Sequence, residues 1–344
     1  MSVPTSPSLR TALCERLRID LPIIQAPIGS ATSPALVAAV ANAGGLGMLS
    51  VTWRSLDGMR RALHEIRAQT TRPFGVNMAL VWPVEEKLAA CLEAGVPIIW
   101  FFWGDASQYV ALTHAAGAVV LQTVGSAREA RQAVDAGVDV VVAQGWEAGG
   151  HVWGEVASLP LIPSVVDAVT PVPVVASGGI ADGRGLAAAL MLGASGACLG
   201  TRFLLAEETA VHPIYQERVI AATETDARYT YLFDGGWSDA PHRALRNSTM
   251  AQWEAAGSPP SGQRPGEGEV IARFADGRPA ERYSDTLALP GMTGEVEALA
   301  LYAGQSAGLA TLIQPAADIV REIANGAVRA LKQGAALLNL QAEQ

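Results

Sequence analysis

Short apolar runs alternate with alanine-rich amphipathic stretches along residues 20–204. Eight of these runs predict buried strands, because they are aliphatic and bounded by turn-forming residues. They are residues 21–28, 45–50, 74–80, 98–103, 118–123, 139–144, 172–177 and 196–200. Apolar strands that are each followed by a helix indicate a parallel sheet covered on both faces. The predicted fold class is therefore α/β, and eight such units favour a (β/α)8 TIM barrel over an open doubly wound sheet.

Beyond residue 205 the pattern changes. A helical stretch at 213–223 leads into residues 225–295, which are rich in Gly, Pro, Trp and Arg and predict an insertion or lid. Helical periodicity returns at 295–313 and 316–340. We therefore expect three parts: a barrel at 1–222, an inserted lid subdomain at 223–294, and C-terminal helices at 295–344 that pack back on the barrel.

The composition is that of a folded, acidic chain. Of 344 residues, 50% are hydrophobic and 17% charged, which allows a sizeable core, and the net charge of −9 argues against a nucleic-acid partner. Three separated cysteines suggest neither disulfides nor a zinc site. The N-terminus does not resemble a signal peptide, and no apolar run approaches the roughly 20 residues of a membrane span. We expect a soluble, cytoplasmic protein with no membrane partner.

Several barrel chemistries can be excluded from the residues. The two lysines, Lys87 and Lys332, do not lie at strand ends, so a Schiff base is not expected. The five histidines lack metal-binding spacing, and we predict no metal site. Residues 304–308 match the G-x-S-x-G elbow of hydrolases, but the preceding residues have helical periodicity and no histidine follows His242.

Glycine loops after the last two strands predict a phosphate site. The seventh strand ends in Ser177-Gly178-Gly179 and leads to Asp182, a helix-cap candidate, whereas the eighth ends in Gly200-Thr201. Barrels commonly bind phosphate through the backbone N–H groups of these two loops, where a Cβ would block the approach of the anion. The alternative is that both loops are simply tight turns.

His151 follows the sixth strand in a glycine-rich loop, where an imidazole can act as a proton acceptor. A structural histidine is the alternative. Asn77 and Gln122 end strands three and five, where they would either contact a heterocycle or satisfy loop backbone. Glu147 has a weaker case and could pair with an arginine.

Six segments together resemble the nitronate monooxygenases, formerly called 2-nitropropane dioxygenases. They are QAPI at 25–28, GVN at 75–77, QGWEAGGH at 144–151, SGGIADGRG at 177–185, LGTRFL at 199–204 and AGQSAG at 303–308. The resemblance covers about residues 20–222 and 295–340. It implies a TIM barrel that binds FMN non-covalently and oxidises a small-molecule nitronate with O2 to a carbonyl compound and nitrite.

The resemblance also implies roles for particular residues. His151 would be the catalytic base. The residues expected to bind FMN are Gln25, Ala26 and Pro27 under the ring, Asn77, Gln122, Gln144, Gly149, Gly150, Ser177, Gly178, Gly179, Cys198, Leu199, Gly200 and Thr201 around it, and Gln305 nearby.

The chain departs from the family pattern at three positions: Ile28 replaces a frequent methionine, and the bulky Trp146 and Trp153 flank the glycine loop. These departures bear on the substrate more than on the cofactor. Two alternatives stay open: a flavin-dependent enoyl-ACP reductase-like enzyme that uses NAD(P)H, and a flavin-binding protein without efficient turnover. Gln144, where we expect an acidic residue in such reductases, favours the monooxygenase. A homodimer also stays open.

Overall fold

The eight predicted apolar runs form a parallel barrel in the computed structural model, which describes residues 9–339. Its strands are β1 (Ile23–Gln25), β2 (Met48–Ser50), β3 (Gly75–Ala79), β4 (Ile98–Phe102), β5 (Val119–Val124), β6 (Val140–Gln144), β8 (Val174–Ser177) and β9 (Gly196–Leu199). The short strand β7 (Gly150–His151) belongs to a different sheet. Neighbouring strands pair in the order β1-β9-β8-β6-β5-β4-β3-β2. Between the first and last of these, the Leu46 N–H donates to the Ile23 carbonyl at 2.9 Å, which closes the barrel. The predicted (β/α)8 fold is confirmed.

Helices follow the strands along the chain, and most of them cover the outside of the barrel. They are α1 (Ala12–Leu17), α2 (Pro34–Asn42), α3 (Leu56–Gln69), α4 (Glu85–Glu93), α5 (Ser107–Ala115), α6 (Ala127–Asp135), α7 (Ser158–Val169), α8 (Gly183–Met191), α9 (Pro213–Ala221), α10 (Ser248–Ala255) and α11 (Ala316–Asn339). The side chains of Ser33, Ser126 and Asp182 accept backbone N–H groups at the starts of α2, α6 and α8. These three caps follow the sequence signals.

Side chains alternate between the inside and the outside of the barrel along each strand. Ile24, Trp100, Val142 and Cys198 belong to one buried interior cluster, which α1 caps from the N-terminal end of the strands through Leu13 and its neighbours. Residues of the opposite parity pack outward against the helices. The strand faces therefore decide which side chains can reach a site above the interior.

Residues 223–294 form small antiparallel sheets rather than a bare loop. One sheet joins β10 (Ala227–Thr230) and β11 (His242–Leu245) to β7 (Gly150–His151), a short strand in the loop after β6. The other joins β12 (Val270–Arg273), β13 (Pro279–Glu281) and β14 (Thr293–Gly294). The inserted segment is thus hydrogen-bonded to the loop that carries the histidine.

The helix predicted at 295–313 is wrong. This stretch contains short 3-10 turns at Val296–Ala298 and Ala307–Leu309, and its remaining backbone is irregular, with isolated bridges and a turn at 305–306. The Leu245 N–H donates to the Leu301 carbonyl at 2.8 Å, so the segment runs beside β11. Burial on both sides, with β11 as hydrogen-bond partner, explains an apolar pattern that resembles helical periodicity. The helix predicted at 316–340 agrees with α11, and its last residue lies outside the described residues.

Candidate active site

A cavity of about 450 Å³ lies at the carboxyl ends of the barrel strands. Most of the predicted site residues line it: Ala26, Pro27, Asn77, Gln144, Gly149, Gly150, His151, Ser177, Gly178, Gly179, Cys198, Gly200 and Thr201. The parallel register brings several of them side by side, because Ser177 pairs with both Gln144 and Cys198. The fold thus gathers residues from distant parts of the sequence into one site.

The glycine loop after β8 presents backbone donors to this cavity. Gly178 and Gly179 adopt φ angles of +97° and +70°, which favour glycine, and a Cβ on Gly178 would lie 2.8 Å from the Gly145 carbonyl oxygen. Within residues 9–339, no acceptor is found for the N–H of either glycine. Thr201 accepts the Gly304 N–H at 2.9 Å through its hydroxyl oxygen, which leaves the hydroxyl hydrogen free to donate. Free donors of this kind suit an anion.

Glu147 is linked to the glycine loop after β8 through Ser158. Its carboxylate accepts the Ser158 N–H at 2.9 Å, at the first residue of α7. The Ser158 hydroxyl lies 3.1 Å from both this carboxylate and the Gly178 carbonyl oxygen. Glu147 therefore caps a helix and positions a loop, and no arginine forms an ion pair with it in the described part of the chain.

Two predicted site residues, Gln144 and Asn77, form hydrogen bonds with the backbone through their side-chain amides. Gln144 donates to the His151 carbonyl oxygen at 3.1 Å and accepts the Trp153 N–H at 2.8 Å, so it secures the loop that carries the histidine. Asn77 donates to the Trp100 carbonyl oxygen at 3.0 Å while lining the cavity.

Burial raises the pKa of the Cys198 thiol to about 12, so it stays neutral.

Four predicted residues do not line the cavity: Gln25, Gln122, Leu199 and Gln305. Gln122 and Leu199 have the outward parity of their strands, and the Gln122 amide accepts the Ala106 N–H at 3.2 Å. Gln25 is fully buried and accepts the Met48 N–H at 3.0 Å, between β1 and β2. The Gln305 N–H donates to the Glu147 carbonyl at 3.1 Å.

His151 lies in an aromatic environment that the inserted segment partly supplies. Its ring centroid is 4.0 Å from that of Trp237 and 5.5 Å from those of His242 and Tyr302. The Nδ1 atom is buried and has no hydrogen-bond partner among the described residues. Burial, with a smaller contribution from His242, lowers the pKa of His151 to about 3. The ring is therefore neutral at physiological pH.

His242 has both ring nitrogens engaged. Nε2 accepts the Phe233 N–H at 3.3 Å, which requires Nδ1 to carry the proton that it donates to the Ala240 carbonyl at 3.0 Å. Burial lowers the pKa of His242 to about 4. Its two hydrogen bonds fix the tautomer of His242, which leaves neither ring nitrogen free to accept a proton.

Trp237, Asp285 and Tyr302 also line the cavity, although they are not among the predicted site residues; Trp237 belongs to the segment predicted to cover the barrel mouth. Asp285 is half-buried, and burial raises the pKa of its carboxyl to about 6. Tyr302 directly precedes the AGQSAG segment, a proximity that could have marked it. No local pattern marks the other two, because they lie in the inserted segment and reach the cavity only through the tertiary fold.

Comparison with known proteins agrees with this geometry. The model of the nitronate monooxygenase family matches residues 10–84 and 79–326. The chain belongs to the nitronate monooxygenase family. It is therefore an oxidoreductase, and membership implies a flavin cofactor.

The relatives of this chain are named for different activities. The chain is 32% identical to a nitronate monooxygenase of Paraburkholderia phytofirmans over 94% of this chain and 97% of the relative. It is 40% identical over 72% of its length to a Mycobacterium tuberculosis protein, 69% of which is covered, named (3aS,4S,5R,7aS)-5-hydroxy-7a-methyl-1-oxo-octahydro-1H-indene-4-carboxyl-CoA dehydrogenase. The solved structure of FabK from Thermotoga maritima is similar with a TM-score of 0.81 and 32% identity, covering 95% of this chain and 99% of that one.

Two features are absent from the described residues. No cluster of three or more His, Cys, Asp or Glu residues within 9–339 could hold a metal ion. Among the helices in that range, none is both long and apolar enough to cross a membrane.

Proposed function

We propose that this protein oxidises alkyl nitronates with O2 to carbonyl compounds and nitrite, with FMN as its cofactor. One observation supports the proposal: a single cavity is lined both by a glycine loop with free N–H donors and by His151. The first suits a terminal phosphate, and the second suits the reacting end of a substrate.

FMN fits the residues present. The N–H groups of Gly178 and Gly179 and the Thr201 hydroxyl would hold its phosphate, while Ala26 and Pro27 would lie beside its ring. Bound there, FMN supplies the electron acceptor for the oxidation. No dinucleotide-binding glycine pattern accompanies the loop, which favours FMN over FAD.

His151 is proposed as the proton acceptor for neutral nitroalkanes. Its low pKa keeps the lone pair available but makes the ring a weak base, because protonation in this buried setting is unfavourable. A nitronate has already lost its α-proton and needs no base. The site therefore favours nitronates over nitroalkanes, and a neutral imidazole can still donate a hydrogen bond to the nitro group.

The test compares nitroalkanes with their matching nitronates in aerobic assays. General-base catalysis is worth about 10²–10⁴-fold, so His151→Asn should lose about that much with nitroalkanes and far less with nitronates. His64→Asn, on the exposed face of α3, is the control. Equal losses on both substrates would indicate a purely structural histidine. No turnover of either substrate by the flavin-loaded wild type would reject the function in favour of a flavin-binding protein.

A second candidate is a dehydrogenase with a larger hydrophobic substrate. It is favoured by the 40% identity to the dehydrogenase named above and by the aromatic side chains of Trp53, Phe102 and Trp237 around the cavity. The NAD(P)H-dependent reductase is a third. Anaerobic mixing separates our proposal from the reductase: flavin reduction by a nitronate supports our proposal, whereas rapid reduction by NADH or NADPH supports the reductase.

A further inference from the structure

The cavity contains a carboxyl group that the proposed reaction does not use. Asp285 lies on the wall formed by the inserted segment, and within residues 9–339 no other residue forms a hydrogen bond or ion pair with its carboxylate. A half-buried carboxylate without a partner is unfavourable, because it has lost water without gaining a compensating donor. The raised pKa of this carboxyl reflects the same cost.

The backbone holds Asp285 in place. Its N–H donates to the Gly235 carbonyl at 3.0 Å, where residues 235 and 284 form a parallel bridge. Gly236 has a φ of +120°, and a Cβ there would lie 2.7 Å from the Asp285 carboxylate. The next residue is Trp237, whose ring packs against that of His151 at an angle of 39°. The carboxyl is thus on an ordered element next to the histidine's aromatic neighbour.

A second unpaired polar group lies close by. The Tyr302 hydroxyl is buried and has no hydrogen-bond partner in the described part of the chain, and its ring lines the same cavity. Burial, with smaller contributions from Asp285 and Tyr215, raises the pKa of Tyr302. The hydroxyl therefore stays protonated, able both to donate and to accept a hydrogen bond.

The protein offers no obvious donor to complete Asp285. Among the described residues that line the cavity, Arg278 is the one with a guanidinium group that could pair with Asp285. It already pairs with Asp276 at 2.8 Å and lies over the Phe274 ring. We propose that Asp285 and the Tyr302 hydroxyl form a second polar subsite, which binds a hydrogen-bond-donating group of the substrate, either an alcohol hydroxyl or an ammonium group. The inference rests on the proposed function only in treating this cavity as the substrate cavity.

Binding of three probes with one skeleton tests this subsite. Benzyl alcohol and benzylamine carry a donor, whereas benzyl methyl ether does not. Quenching of tryptophan fluorescence in the flavin-loaded protein reports binding, because Trp53 and Trp237 line the cavity. A hydrogen bond to a charged group should make the donor probes bind about tenfold more tightly than the ether. The more affected donor probe identifies which group the subsite prefers.

Asp285→Asn should remove most of that preference while leaving the affinity for the ether unchanged. Asp239→Asn is the matched control, because Asp239 is an exposed aspartate of the same segment. If Asp285→Asn does not fold, as judged by circular dichroism and flavin content, Tyr302→Phe takes its place and should weaken the alcohol in particular. Equal binding of all three probes to the wild type, or equal weakening of all three by these variants, would overturn the inference.

The outcome is separable from that of the proposed function. The binding assay needs no turnover, so a donor preference without nitronate oxidation would contradict the function and leave the subsite standing. Nitronate oxidation without any donor preference would contradict the subsite alone.

Discussion

Acidification should destabilise the protein through the buried histidines. His151 and His242 have pKa values lowered to about 3 and about 4, mainly by burial, whereas an unfolded histidine titrates near ~6.5. Between these values the unfolded chain binds more protons than the folded one. The free energy of unfolding therefore rises with pH across this window, and the stabilisation is lost as the pH falls below about 6.5.

The magnitude follows from the number of protons. Each such histidine contributes about 1.4 kcal/mol per pH unit once the unfolded form is protonated, or about 2 kcal/mol between about pH 7.5 and about pH 5. Asp285 acts in the opposite direction between about pH 4 and about pH 6, because its raised pKa makes the folded state the better proton binder. Comparing the wild type with a histidine variant holds the contribution of Asp285 fixed.

Urea unfolding at several pH values, at equal flavin loading, measures the effect. His151→Asn should reduce the loss of unfolding free energy between about pH 7.5 and about pH 5 by about 2 kcal/mol. His64→Asn, whose ring is exposed, controls for the substitution itself. Identical pH dependence in the wild type and His151→Asn would refute the reasoning, since it would mean that His151 titrates alike in both states.

Three further predictions concern the cofactor loop and the inserted segment. Gly179→Asp should lose flavin yet remain folded, because it places a carboxylate beside the proposed phosphate donors; flavin release and circular dichroism measure the two effects. Gly117→Asp is the control and should retain flavin, because Gly117 also has a positive φ and no atom lies within 4 Å of its Cβ position. Glu147→Gln should weaken flavin affinity by about tenfold by loosening the bond to Ser158, and unchanged affinity would exclude this positioning role. Limited proteolysis should cut first within the largely exposed residues 257–268, and earlier cleavage within the barrel would contradict this.

The sequence predicted the barrel well, because its strands are marked by local apolar runs and its helices by local caps such as Ser33 and Asp182. Strand parity was harder to predict. Gln122 lies two residues before the end of β5, and it points away from the cavity because the interior face is set by the closure of the whole barrel.

Contacts between distant segments explain the remaining differences. Residues 295–313 have a helix-like apolar pattern, but β11 pairs with them and burial on both sides produces the same composition. Asp285 and Trp237 reach the cavity from an insertion with no recognisable motif. The glycine loop and His151 could be predicted as cavity residues because loops after barrel strands form the site end of the barrel. No comparable rule says where residues of an inserted segment lie.

The pairing of β7 with β11 links the histidine to the insertion in a way that matters for protein engineering. Arg243 and His242 lie opposite Gly150 and His151 in an antiparallel register, so the backbone of His151 belongs to a sheet that the inserted segment completes. Trimming that segment to obtain a minimal barrel would remove the sheet. A chimera that exchanges substrate range between relatives would therefore need to transplant the 144–151 loop and the insertion as a single module.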